Sequence, residues 1–152
     1  MERISSFNVD HRKLCRGMYI SRQDKDITTY DIRMRRPNTE PVMDNDAMHT
    51  IEHLFATYVR NSQYEEHIVY FGPMGCRTGF YFLTRDMPCD KAVKLTLDAF
   101  EFIKAYTGEI PGTKPEECGN YRDHNLEKAK IECQDMVNIL KDWDALKSIY
   151  PE

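Results

Sequence analysis

The stretch Asp44-Asn45-Asp46-Ala47-Met48-His49-Thr50-Ile51-Glu52-His53-Leu54-Phe55-Ala56-Thr57-Tyr58-Val59-Arg60 organises the reading of the whole chain. Its apolar residues recur at helical spacing and Asp44 is suited to cap a first turn, so a helix is predicted over about residues 45–61. At about 100° per residue, Met48, Ile51, Leu54, Phe55 and Tyr58 form one apolar arc, and His49, Glu52, His53, Ala56 and Arg60 form a ridge beside it. The ridge therefore borders the core. A helix hiding one face needs a second layer, and strand-like segments lie on both sides of it.

Upstream, Tyr30, Ile32 and Met34 alternate with Asp31, Arg33 and Arg35, which predicts a strand over 27–36 with Arg33 on its polar face. Downstream, residues 66–71 and 79–84 are rich in aromatic and β-branched side chains, and Gly72-Pro73-Met74-Gly75 breaks the chain between them. Asp90 is placed to cap a second helix ending before Gly108, and residues 109–123, with two prolines and two glycines, read as a loop. Leu126, Ala129, Cys133, Met136, Val137 and Leu140 predict a third helix, and a short helix over 142–150 closes the chain. The expected class is α+β: a small, mainly antiparallel sheet with helices packed on one face. With no repeat, low-complexity tract or linker, residues 1–152 read as one domain.

The formal charge of −4 is spread along the sequence without a basic stripe, which argues against nucleic acid as a partner. Residues 1–6 hold no apolar signal run, and nowhere do eighteen apolar residues follow one another, so a cytoplasmic protein without a membrane span is expected. Five cysteines, at 15, 76, 89, 118 and 133, are an odd number without disulfide-scaffold spacing; free thiols, metal ligands or a nucleophile fit a reducing compartment better.

His49-Thr50-Ile51-Glu52-His53 is an H-x-x-E-H pattern on the predicted helix. Imidazoles four residues apart stand one turn above the other and can reach one divalent ion, with Glu52 beside them. Two imidazoles rarely hold such an ion tightly, so a third ligand is required. Cys118 is the best candidate, because it lies in the loop before the third helix and Gly119 lets backbone approach a site. Cys15 falls in a polar N-terminal segment, Cys133 on an apolar helical stripe, and His67 beside two glutamates. Three protein ligands leave one position open, the arrangement of a catalytic site.

The second candidate is Cys76, in Gly72-Pro73-Met74-Gly75-Cys76-Arg77-Thr78-Gly79. Three glycines allow close approach to a small ligand and Arg77 would favour thiolate over thiol, although a Gly-Pro turn with a buried cysteine needs no chemistry.

Together, Ser6-Phe7-Asn8-Val9-Asp10-His11, Asp31-Ile32-Arg33, Pro37-Asn38, His49-Thr50-Ile51-Glu52-His53, Pro73-Met74-Gly75-Cys76-Arg77-Thr78-Gly79 and Cys118-Gly119-Asn120-Tyr121 resemble the S-ribosylhomocysteine lyase family, also called LuxS or autoinducer-2 synthase. The resemblance implies a homodimer with sites shared across its interface and one divalent metal per subunit on His49, His53 and Cys118. The metal would be iron(II) natively, with zinc or cobalt able to substitute. It implies acid and base roles for Glu52 and Cys76, and substrate contacts from Ser6, His11 and Arg33; Arg60, on the histidine ridge, joins that substrate-binding set. The implied reaction cleaves S-ribosylhomocysteine to homocysteine and 4,5-dihydroxy-2,3-pentanedione, the autoinducer-2 precursor, by carbonyl migration and β-elimination. One departure is Tyr70-Phe71-Gly72, where many members carry an acidic residue and a small hydroxyl; a contact made by that acid must come here from backbone or elsewhere. Two rival readings are an H-x-x-E-H zinc metallopeptidase, whose Glu would activate a water, and a non-catalytic metal-binding domain, which a fourth protein ligand would favour.

Overall fold

The computed structural model describes residues 1–152. Strands β1 (Gly17–Asp24), β2 (Ile27–Arg33), β3 (Ile68–Pro73) and β4 (Gly79–Arg85) form one antiparallel sheet in the order β1-β2-β4-β3. Helices α1 (Asn45–Arg60), α2 (Cys89–Lys104) and α3 (Leu126–Leu140) complete the α+β fold. Strand alternation sorts the side chains by face. Met18, Tyr30, Ile32, Phe80 and Phe82 join the core that the helices cover, while Tyr19, Asp31, Arg33 and Tyr81 lie on the outer face. Phe55 of α1 is the keystone: it stacks on Phe71 at 3.9 Å and meets Phe100 of α2 edge-on at 5.5 Å.

Helix α1 follows the expected pattern. Met48, Ile51, Leu54 and Phe55 are buried, while His49, Glu52 and His53 on the ridge are half-buried. Asp44 occupies the cap position without a side-chain cap bond, because its carboxylate accepts from Lys128 of α3 at 2.9 Å. Asp90 does not cap α2 either; the cap position is Pro88, and Asp90 sits in the first turn, where its charge suits the helix N-terminus.

Three expectations need correction. The strand over 27–36 stops at Arg33, because the Met34 and Arg35 N–H groups both donate to the Thr78 carbonyl and leave the ladder. β1 is an additional strand: only Met18, Tyr19 and Ile20 carry an apolar signal before Arg22-Gln23-Asp24 dilutes it. Residues 142–150 are turns, not a helix. They strap the edge of β1: Trp143 Nε1 donates to the Met18 carbonyl at 2.9 Å, Ile20 N–H donates to the Ser148 carbonyl at 2.7 Å, and Tyr150 stacks on Tyr19 with ring centroids 5.3 Å apart. The Ser148 carbonyl is thereby spent on the edge of β1 and not on a local helix.

Candidate active site

Two groups of functional side chains lie on different parts of the fold. The first joins α1 to the loop 109–124. His49 Nδ1–H donates to the Asp123 carbonyl and His53 Nδ1–H to the Pro111 carbonyl, each at 2.9 Å. Carbonyl oxygens can only accept, so both tautomers are fixed and each Nε2 keeps its lone pair for a metal. Cys118 Sγ lies 3.3 Å from His49 Nε2 and accepts a long, 3.5 Å bond from the Asn120 N–H. The three expected ligands are thus brought together, and their donor set fits a divalent ion of the zinc or iron type.

The loop reaches this position through Gly112, not Gly119. Gly112 has φ +75°, and a Cβ there would come 2.9 Å from His53 Nδ1, while a Cβ on Gly119 would meet nothing within 4 Å. The loop could not hold His53 so closely with a side chain at 112. Glu52, His53, Arg60, Tyr70, Pro111 and Gly112 line an adjoining cavity of about 360 Å³. Arg60 is exposed and donates to the Val69 carbonyl at 3.2 Å. At the departure from the family pattern, Phe71 is core, while Tyr70 is exposed and lines this cavity.

His124 was not among the expected residues, yet its donor atom lies within 4.8 Å of those of His49, His53 and Cys118. Its ring stacks on His49 with centroids 3.9 Å apart and 24° between planes. Burial first, then the neighbouring His49 and His53 imidazoles, push its pKa down to about 4. A usable sequence signal was its place next to Asn125, which caps α3. That reading would have put a third imidazole where the ligand loop meets the helices.

The second group is on the outer face of the sheet. Ser6, His11, Asp31, Arg33, Cys76 and Tyr150 line a cavity of about 220 Å³. Arg33 lies on the outer, polar face as expected, but that face is covered around it. It is buried, with Nε and Nη2 donating to Asp31 at 3.0 and 2.6 Å and Nη1 donating to the Thr78 hydroxyl at 2.8 Å. Burial opposes its charge, but Asp31 beside it more than compensates and raises its pKa. Thr78 Oγ1 lies 3.1 Å from Cys76 Sγ, so the Arg33 guanidinium is linked to the thiol through the Thr78 hydroxyl. Tyr150 donates to Asp31 at 2.6 Å, and burial followed by the Asp31 charge raises its pKa. Cys76 is exposed. Backbone crowding forces a glycine at 79, whose Cβ would strike the Ile32 carbonyl at 2.2 Å, whereas a Cβ at 72 would meet the Tyr70 side chain; the need at 79 comes from strand pairing and not from a ligand.

Cys133 is fully buried in the core, and Cys15 and His67 stand outside both groups. No helix is long and apolar enough to cross a membrane.

Comparison with known proteins agrees with this arrangement. The family model described as S-ribosylhomocysteinase (LuxS) matches residues 4–146. Proteins named S-ribosylhomocysteine lyase from Finegoldia magna and Porphyromonas gingivalis are 46% and 48% identical over 157 and 159 residues, covering all of both chains. One of the same name from Clostridium beijerinckii is 46% identical over 99% of each. A match of this length, containing both the His/Cys cluster and the Cys76 turn, means that the chain belongs to the S-ribosylhomocysteinase (LuxS) family.

Proposed function

We propose that this chain is a single-domain, cytoplasmic lyase that converts S-ribosylhomocysteine to homocysteine and 4,5-dihydroxy-2,3-pentanedione. The observation that carries this reading is the convergence of His49 Nε2, His53 Nε2 and Cys118 Sγ beside the cavity of Glu52 in a chain of this family. His49, His53 and Cys118 would hold one divalent ion per subunit. When bound, that ion supplies Lewis-acid stabilisation of the negative charge developing on sugar oxygens. Iron(II) is the proposed native metal, and zinc, which such a donor set binds more tightly, or cobalt would substitute.

The rest is proton transfer, which the chain's own groups perform. Moving the carbonyl along the opened ribose passes through an enediol: one carbon loses its C–H and O–H protons as it becomes the carbonyl, and the neighbouring former carbonyl gains one proton on carbon and one on oxygen. Glu52 and Cys76 take these roles, each contributing about 10²- to 10⁴-fold. Once the carbonyl is β to the thioether, removal of the intervening C–H proton expels homocysteine as thiolate, which is then protonated, and the enol left behind becomes the diketone by losing its O–H proton and gaining one on the terminal carbon; no oxidant is needed. Thr78, held by Arg33, orients the Cys76 sulfur. Ser6, His11, Arg33 and Arg60 are the proposed substrate contacts, and Arg33 has up to two N–H groups not engaged by Asp31 or Thr78.

The Cys76 cavity opens on the outer face of the sheet, whereas α1 packs against the opposite face. One sugar is therefore proposed to lie between the His/Cys cluster of one subunit and the Cys76 pocket of a second, in a homodimer. Five unpaired cysteines support a reducing, cytoplasmic location. The peptidase reading leaves the Cys76–Thr78–Arg33 chain without a role, and the non-catalytic reading does the same for Glu52. Thiol release from S-ribosylhomocysteine, followed with a thiol reagent, tests the function; metal-loaded protein that releases none would contradict it.

A further inference from the structure

The Nε2 of His124 is buried and has no hydrogen-bond partner. Its Nδ1 is engaged: Thr50 Oγ1 gives its own proton to the Asp46 carbonyl at 2.9 Å, accepts from the Asn125 N–H, and faces His124 Nδ1 at 3.0 Å. Nδ1 therefore carries the hydrogen and Nε2 the lone pair. A buried acceptor left unpaired is costly, so what the site binds should supply its partner.

The metal is not that partner. Rings that share one ion each hold it in their own plane, at about 2.0–2.1 Å from the nitrogen. His49 and His53, inclined at 86° with centroids 4.5 Å apart, can do so. His124 runs nearly parallel to His49, 24° off at 3.9 Å, and the two planes do not meet within that reach. We propose that His124 is a substrate-orienting residue, its Nε2 accepting a hydrogen bond from the hydroxyl of the water or open-chain sugar that fills the position left by His49, His53 and Cys118. This assignment rests on the lyase reading. It gives the buried Thr50 a role as well, since its hydroxyl keeps His124 in the accepting tautomer.

The test uses full-length protein loaded with zinc or cobalt(II). His124→Phe keeps a ring on His49 without an acceptor, and His124→Gln offers a carbonyl in its place. Both should retain metal within about twofold and keep the cobalt absorption bands, because no ligand is lost. Per bound metal, His124→Phe should lose at least about tenfold in kcat with a smaller change in KM, and His124→Gln should recover part of it. Metal loss like that of Cys118→Ala, or unchanged kcat in His124→Phe, would overturn the assignment. If His124→Phe does not fold, His124→Gln decides: metal loss overturns the proposal, and retained metal with reduced but measurable kcat upholds it. Wild-type protein that releases no thiol sinks the lyase reading itself, while metal retention and cobalt bands still report whether His124 is a ligand.

Discussion

The His/Cys cluster and the Cys76 pocket differ in how many segments build them. The cluster needs two: His49 and His53 stand one turn apart on α1, and a single loop, meeting the helix across 58 to 74 residues, supplies Pro111, Cys118 and Asp123. The Cys76 pocket draws on more: the N-terminal Ser6 and His11, Asp31 and Arg33 of β2, the Cys76 turn, and Tyr150, which meets Asp31 across 119 residues. A metal centre tolerates little displacement and gains from a rigid helix, whereas the thiol pocket depends on the whole chain closing around the sheet. The two should therefore fail differently.

The largest effect is expected at the ligands. His49→Ala, His53→Ala and Cys118→Ala should each lose metal and about 10³-fold or more in turnover, matching several kcal/mol of lost charge stabilisation. Cys133→Ala should keep its metal. Metal analysis of the four proteins checks this, and full occupancy in Cys118→Ala would move the third ligand elsewhere.

Next come Cys76→Ala and Glu52→Gln, which should fold and retain metal while losing at least about 10²-fold in kcat. Normal turnover in metal-loaded Cys76→Ala would remove the thiol from the mechanism.

A smaller effect separates the two glycines of the loop. Gly112→Ala should weaken metal retention about 10- to 100-fold in chelator competition, because it disturbs the carbonyl that orients His53. Gly119→Ala should change little; equal losses from both would show that loop strain, and not the His53 contact, is responsible.

The smallest is Tyr150→Phe, which deletes one donor to Asp31 and should cost about 1–2 kcal/mol in denaturant unfolding with metal content unchanged. A drop in metal content would mean that the two regions are coupled within one subunit.

The same contrast explains what could be read in the sequence. Helix α1, its ridge and the pair His49 and His53 were legible because helical spacing is local, and Cys118, 69 residues from His49, was legible from its ligand chemistry alone. β1 was not, because burial of Tyr19 depends on Trp143 and Tyr150 folding back over it. The helix expected over 142–150 failed for the same reason. Arg33 was correctly singled out and placed on the outer face, but its burial was not legible, since one strand's alternation cannot say whether the tail will cover that face. His124 escaped because a lone loop histidine has no periodic partner.

The most direct test of the central claim, one sugar between two half-sites from two subunits, is subunit mixing. Inactive His53→Ala lacks the metal half and inactive Cys76→Ala the thiol half, so a mixed dimer contains one complete site. Random exchange should restore about a quarter of wild-type turnover in an isologous dimer. Arg33→Ala with Cys76→Ala, both damaged in the same pocket, should restore none. No recovery from His53→Ala with Cys76→Ala, once exchange is verified, would contradict the shared site.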